Sequence, residues 1–222
     1  MEEPRSVLRP ALEPVVEFSD SDLFWQEHWK KFAWGLAGLV ALILAVGVWK
    51  FWSAQHVAAA EAFYATAGDP AAWREVVAKY PGTVAAGNAR LQLAESLRAT
   101  GDVAGASGEL ENFLKAQPQH PLAGTAWLTL GELRQMQGEN NRALEAYRVA
   151  SSQYAASYAA PLALLAEAKL LGQMGSQGEA RAVLESVGTL HSDTPAAMIA
   201  AAELARLRPP APMPSWPPLP AP

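Results

Sequence analysis

The amino-acid sequence predicts an all-α chain in which a single transmembrane helix precedes a short α-solenoid of helical hairpins. Three observations predict this fold class. Residues 124–155 hold two amphipathic helical patterns on either side of Gly138. Small and large apolar residues recur with a spacing of 37 residues. Residues 32–52 form an apolar run in which Lys50 is the one charged residue.

The hairpin at residues 124–155 defines the repeating unit. Stepping by 37 residues (131 − 94 and 168 − 131), the position where the two helices cross reads Ala94, Gly131 and Ala168. The turn position reads Gly101, Gly138 and Gly175, and the facing small position reads Ala106, Ala143 and Ala180. Two packing positions follow, which read Leu110, Tyr147 and Leu184, then Phe113, Ala150 and Val187. Five positions in one register favour three stacked hairpins over three unrelated ones.

This pattern resembles the tetratricopeptide repeat, a helix–turn–helix unit of α-solenoids. The family pattern falls on Trp127, Leu130, Gly131, Gly138, Ala143, Tyr147 and Ala150. Arg134 replaces the tyrosine that the family has in the middle of the first helix, and Ala155 replaces its closing proline. The resemblance implies that the first helix of each repeat lines a concave groove.

The chain divides into five predicted segments. They are a flexible acidic N-terminal tail (1–21), a juxtamembrane segment with the transmembrane helix (22–52), a stalk with a degenerate first repeat (53–83), a repeat domain of about three full repeats with a C-terminal capping helix (84–208), and a Pro-rich tail (209–222). The last segment has eight prolines in fourteen residues, which favours polyproline II. It is either a partner-binding motif or a plain tail.

The apolar run of residues 32–52 has the length of a bilayer core, about 31 Å as a helix. Tryptophans flank both of its ends, as expected at the two membrane interfaces. A buried core helix or a cleaved signal peptide are the alternatives, and the long acidic segment before the run disfavours the second. Lys30 and Lys31 precede the uncharged part of the run, residues 32–49, and only Lys50 closely follows it, which predicts a cytoplasmic N-terminus.

Small residues repeat along one face of the predicted span. Ala33, Ala37, Ala41 and Ala45 lie four residues apart, a spacing that lets a second membrane helix approach closely. Alanine is also common throughout this chain, so the pattern has a second, compositional explanation.

The resemblance places thirteen residues on the concave face of the first helices. They are Asn88, Leu91, Glu95, Arg98, Thr125, Leu128, Glu132, Gln135, Met136, Leu162, Leu165, Lys169 and Gln173. Leu91, Leu128 and Leu165 share one register position, so they form either an apolar stripe for an extended or helical peptide or part of the packed core.

The sequence predicts no enzyme, no cofactor and no metal site. The four histidines lie far apart, and none has metal-ligand spacing with another histidine or a carboxylate. The net charge of −5 comes without a basic patch, which argues against nucleic acid as a partner.

The order of segments resembles bacterial inner-membrane proteins that accompany the secretion translocon. The resemblance implies a single-pass protein with a periplasmic repeat domain, which binds translocon subunits or unfolded and extended clients in a chaperone-like role. The alternative is a structural subunit of a larger membrane complex, held through its span and its tail rather than through the groove.

Overall fold

The structure is a computed structural model that describes residues 20–207, and it describes side chains from residue 28 onward. The predicted tails at 1–21 (up to residue 19) and 209–222 therefore lie outside the described residues. The described part is helical throughout, without strands. Its helices are α1 (Asp20–Thr66), α2 (Pro70–Lys79), α3 (Val84–Ala99), α4 (Val103–Ala116), α5 (Ala123–Met136), α6 (Asn140–Ser152), α7 (Ala159–Gln173), α8 (Gln177–Leu190) and α9 (Pro195–Arg206).

The chain forms two compact units, Met1–Ala54 and Gln55–Pro222. The first unit contains the N-terminal part of α1. Between His28 and Thr66, α1 has the length and composition of a helix that can cross a membrane. Its large apolar side chains, such as Leu42 and Ile43, are exposed rather than packed in a core.

The second unit is a solenoid of helical hairpins. Helices α3 and α4, α5 and α6, and α7 and α8 form three successive hairpins, and α9 follows them. Gly101, Gly138 and Gly175 at the tips of the hairpins have φ angles of 84°, 78° and 85°. This left-handed conformation strains any residue that has a Cβ, which explains why glycine recurs at the turn.

Apart from the turn glycines, the residues at the register positions lie in the core of this unit. The residues at the two packing positions and at the facing small position are buried in all three hairpins. Gly131 is also buried because the ring of Tyr147 lies against it, and a Cβ at this position would come within 2.6 Å of the ring carbon Cδ1. Ala94 and Ala168 tolerate a Cβ at the same position, where the facing residue is a leucine.

The C-terminal end of α1 packs against α2 and α3 in the second unit. Ala60, Val76, Ala85 and Ala89 form a buried cluster there. Asp69 caps α2 by accepting hydrogen bonds from the backbone N–H groups of Ala71 and Ala72. The degenerate first repeat expected in this region stays a prediction.

Polar side chains in one register position hold the N-terminus of each first helix. The Thr83 hydroxyl accepts from the Ala86 N–H at 3.2 Å, and the His120 Nδ1 accepts from the Leu122 N–H at 3.1 Å. The Ser157 hydroxyl accepts from the Ala159 N–H at 3.2 Å. These residues are 37 positions apart, so each hairpin begins with a side chain that satisfies one unpaired backbone donor.

Ion pairs join successive hairpins, and the positions of the acidic and basic partners are reversed between the two pairs. Glu111 on α4 accepts from Arg134 on α5 at 2.9 Å, whereas Arg148 on α6 donates to Glu167 on α7 at 2.7 Å. Glu111 and Arg148 occupy the same register position with opposite charge. Glu167 is 4% exposed, and its hydrogen bond raises the pKa of Arg148.

Helix α9 closes the C-terminal end of the described solenoid. Ala196 and Ala200 are buried against Ala168, Leu184 and Val187. Its exposed surface is also apolar, with Met198 at 77% and Ile199 at 51% exposure. The solenoid therefore ends, within the described residues, on an apolar rather than a polar surface.

Candidate binding face on the first helices

The first helices create the same cleft at two places on their shared face. The cleft between α3 and α5 is called the first cleft. The cleft between α7 and α9 is called the third cleft, because the equivalent middle position lies between α5 and α7. Their corresponding residues are 74 positions apart, which is two repeats. Six such residues line the first cleft (Leu91, Glu95, Arg98, Thr125, Thr129 and Leu133), and six line the third (Leu165, Lys169, Gly172, Ile199, Glu203 and Leu207).

The first cleft is small, with a volume of about 150 Å³. Arg98 lies at its rim and forms an ion pair with Glu95 on the same helix. The hydrogen bond from Arg98 lowers the pKa of Glu95, so this carboxylate stays charged at neutral pH. The cleft thus combines an apolar floor with a rim whose charges are already paired.

Tyr147 fills the equivalent middle position between α5 and α7. Its ring is fully buried, and its hydroxyl donates to the Gln135 side chain at 3.0 Å. Gln135 in turn donates to the side chain of Gln173 at 3.0 Å, which links α5 to α7. Burial raises the pKa of Tyr147 to about 12 and also raises that of the neighbouring Glu132.

The third cleft is larger than the first, with a volume of about 560 Å³. Gly172 explains its size. This glycine occupies the register position of Arg98 and Gln135, and a Cβ built there meets no atom within 4 Å. The volume lies within the range of about 300–1,000 Å³ that small-molecule sites have in proteins.

The structure brings several of the predicted groove residues together. Leu91, Glu95, Arg98 and Thr125 line the first cleft, while Leu165, Lys169 and Gln173 line the third. Gln135 donates a hydrogen bond to Gln173. Glu132 lies near Arg98, and the positive charge of Arg98 opposes the rise in the pKa of Glu132.

The remaining predicted groove residues lie outside the two clefts. Leu128 is 8% exposed and packs in the core against residues such as Leu144 and Ala163. Leu162 is 42% exposed, Met136 is also exposed, and Asn88 is half-buried. Of the three leucines that share one register position, Leu91 and Leu165 are therefore half-buried, whereas Leu128 belongs to the core.

The predicted contact residues of the span, Ala33, Ala37, Ala41 and Ala45, are exposed on α1. Among the described residues, no three or more His, Asp and Glu side chains come together in a group that could hold a metal ion. A further opening between α4, α5 and α6 is lined by Glu111, Arg134 and Arg142, whose charges pair with one another.

Sequence reasoning did not find Gly172 or Leu207, which shape the third cleft. Gly172 carried a usable signal, because the two register-equivalent residues are long and polar. Leu207 carried none, because its role depends on the position of α9 against α7.

Stacked helical hairpins with clefts between successive first helices define an α-solenoid of the kind that serves as a protein-binding scaffold. The model of the tetratricopeptide repeat-like domain family matches residues 23–159, and the chain belongs to this family. Its fold is typical of scaffolds that bind other proteins without catalysis. No curated protein matches the chain.

Solved structures share the fold at low sequence identity. The nearly identical TPR-like repeats of a kinesin light chain candidate from Podosopora anserina have a TM-score of 0.52 at 20% identity, over 69% of this chain and 83% of that chain. The crystal structure of MamA has a TM-score of 0.49 at 18% identity, over 62% of this chain and 74% of that chain. At 20% identity, the likeness to the kinesin light chain repeats concerns the fold alone.

Proposed function

We propose that this protein is a membrane-anchored interaction module that binds extended segments of other proteins on the face of its first helices. One observation carries the proposal. The face presents two open clefts with apolar floors and polar rims, and Leu162 in the first turn of α7 has 42% of its surface exposed. An extended chain can place alternate side chains in such clefts while its backbone meets the polar rim.

Helix α1 supports the anchored form of the proposal. Its apolar residues 32–49 include no charged residue, and the side chains of this stretch are exposed. A water-exposed surface of this size is unfavourable, whereas a bilayer core accommodates it. The lysines at positions 30 and 31 favour a cytoplasmic N-terminus, with the repeats on the periplasmic side of a bacterial inner membrane.

We further propose that the clients are exported proteins, handled beside the secretion translocon in a chaperone-like role. This finer assignment rests on the order of anchor and repeats, which resembles translocon-accessory proteins. An unfolded client exposes apolar side chains in an extended backbone, and that is the chemistry that the two clefts accept.

The binding face is tested by co-purification from gently solubilised membranes. The full-length protein and its Leu162→Glu variant are isolated, and the proteins that accompany each are identified by mass spectrometry. A matched control is Leu190→Glu, because Leu190 is also exposed but lies at the end of a second helix. We expect Leu162→Glu to reduce the yield of partners at least about tenfold, which corresponds to about 1.4 kcal/mol, and Leu190→Glu to leave it unchanged.

Two results would contradict parts of the proposal. If both variants keep every partner, the face of the first helices is not the binding surface, and the protein is a subunit held through its span. If the partners are a stoichiometric set of unrelated membrane subunits, the export role fails although the binding face stands.

The topology is tested separately with single cysteines, since the chain has none of its own. Ser192→Cys in intact cells should react with a membrane-impermeant maleimide, whereas Ser6→Cys should react only after lysis. The reverse pattern would place the repeats in the cytoplasm and exclude exported clients.

A further inference from the structure

The third cleft has a lining that calls for an apolar ligand. Leu165, Leu184, Ile199 and Leu207 contribute its apolar surface, and Lys169 and Glu203 lie among its polar residues. Gly172 leaves the space that a longer side chain fills at the same position of the other hairpins. The opening therefore persists because of the sequence of this one repeat.

The outer face of α9 continues this apolar surface. Terminal helices of solenoids usually present a polar face to solvent. Here the two charged residues of α9, Glu203 and Arg206, pair with each other at 2.6 Å, and Met198 and Ile199 are exposed. Ile199 belongs both to this face and to the lining of the cleft. The two surfaces together form one apolar patch at the C-terminal end of the described solenoid.

The chain itself continues from this patch. Leu207 lines the cleft and is the last described residue, and fifteen residues, 208–222, follow it. At about 3.1 Å per residue in polyproline II, this segment reaches up to about 46 Å, while the twelve residues of α9 span about 18 Å. The segment is thus long enough to turn back over α9 and across the cleft.

The composition of this segment matches the patch. Arg208 is its one charged residue, and its three large apolar side chains besides proline are Met213, Trp216 and Leu219. They are spaced by three residues, which is the period of polyproline II, so that conformation places all three on one side of the segment. A regular apolar edge of this kind is suited to a long apolar patch.

We propose that residues 208–222 bind in cis to the third cleft, with Trp216 as the side chain that enters it and with Met213 and Leu219 on the flanking apolar surface. The tail is then an intramolecular ligand, and a partner binds to the third cleft only by displacing the tail. This inference does not depend on the proposed clients, because both cleft and ligand belong to one chain.

The experiment uses the full-length protein in detergent micelles and a fluorescent synthetic peptide of residues 208–222. A variant with Met213→Ser, Trp216→Ser and Leu219→Ser keeps the chain complete but removes the apolar edge of its tail. We expect the peptide to bind this variant, and to bind the wild-type chain at least about tenfold more weakly, because a tethered tail competes at an effective concentration in the millimolar range. Fluorescence anisotropy measures both affinities.

Substitutions in the cleft locate the site. Gly172→Leu, added to the triple-serine variant, should abolish peptide binding, because the new side chain takes up space in the cleft and its Cβ meets no atom within 4 Å. Gly108→Leu is the matched control, since Gly108 is helical, is equally open and lies outside the third cleft. A peptide with Trp216→Ala should bind at least about tenfold more weakly than the unchanged peptide.

Hydrogen exchange on the wild-type chain gives an independent measurement. We expect the amides of α9 to exchange at least about tenfold more slowly in the wild type than in the triple-serine variant, at every protein concentration. Equal peptide affinity for both chains, or equal exchange in both, would overturn the proposal. Protection that grows with protein concentration would also overturn it, because the tail would then bind a second copy.

Discussion

Gly131→Ala tests the packing between the two helices of the central hairpin. A Cβ at this position would lie 2.6 Å from Cδ1 and 3.0 Å from Cζ of Tyr147, and no real Cβ approaches other atoms that closely. The ring is fully buried and its hydroxyl is held by Gln135, so it cannot turn aside without losing contacts. The substitution therefore overfills the core of the hairpin.

The magnitude follows from two opposing terms. Overpacking of this kind costs about 1–3 kcal/mol. Replacing glycine by alanine within a helix returns about 1 kcal/mol through helix propensity. We expect a net loss of up to about 2 kcal/mol in the free energy of unfolding, measured by urea denaturation of the full-length protein in detergent with circular dichroism as the probe.

Gly188→Ala provides the control for the same substitution without the clash. Gly188 lies in α8, and a Cβ there meets nothing within 4 Å. This variant should gain up to about 1 kcal/mol, so that the two alanine variants differ by the overpacking cost, about 1–3 kcal/mol. If Gly131→Ala stabilises the protein as much as Gly188→Ala does, the close packing of glycine and tyrosine is refuted.

A double-mutant cycle identifies Tyr147 as the partner. The other hairpins combine alanine at the crossing position with leucine at the facing position, as in Ala94 with Leu110. Adding Tyr147→Leu to Gly131→Ala reproduces that pair, and we expect a favourable coupling energy of about 1–2 kcal/mol. Independent effects of the two substitutions would show that the alanine disturbs something other than this ring.

Three further predictions concern single contacts. Burial lowers the pKa of His120 below its ordinary 6.5. The stabilisation from the neutral histidine is therefore complete above pH 6.5 and is lost as the pH falls. His120→Gln should reduce the decline in stability between pH 7 and 5. Arg148→Ala should cost about 1–2 kcal/mol, because it removes a charged hydrogen bond from buried Glu167 and the arginine is itself half exposed. Gly101→Ala should cost about 1–2 kcal/mol, because its φ of 84° disfavours a Cβ.

Urea denaturation checks all three, and each has a control. Replacing both Arg148 and Glu167 by leucine should be close to neutral, because leucine occupies the register position of Glu167 in the other hairpins. Gly178→Ala, at an open helical site, should not destabilise. An unchanged pH dependence in His120→Gln, or a neutral Arg148→Ala or Gly101→Ala, would contradict the corresponding argument.

The sequence predicted the repeats because their constraints are local. A small residue at the helix crossing, a glycine at the turn and large residues at fixed offsets act within one hairpin, and the spacing of 37 residues made them visible three times. The polar residues before each first helix, Thr83, His120 and Ser157, follow the same spacing. They were recognisable by the same test, although their chemical diversity obscured them.

The binding face was harder to predict because a first helix has two apolar sides. Helical periodicity places Leu128 on the same stripe as Leu165, but only the packing of the neighbouring hairpins decides that Leu128 is buried and Leu165 is not. Cleft volume likewise depends on residues from two or three helices, so a pattern within one helix does not reveal it. The predicted contact between the alanine face of the span, which includes Ala33, and a second membrane helix stays a prediction.

The reversed ion pairs between hairpins impose an order on the repeats. If the hairpin of α7 and α8 directly followed that of α3 and α4, Glu111 would take the place of Arg148 next to Glu167, and two carboxylates would meet at a buried site. Like charges in such a place are costly. Repeats of similar shape are therefore not interchangeable in this chain, and a duplicated or shuffled hairpin would need compensating charges before it could join the stack.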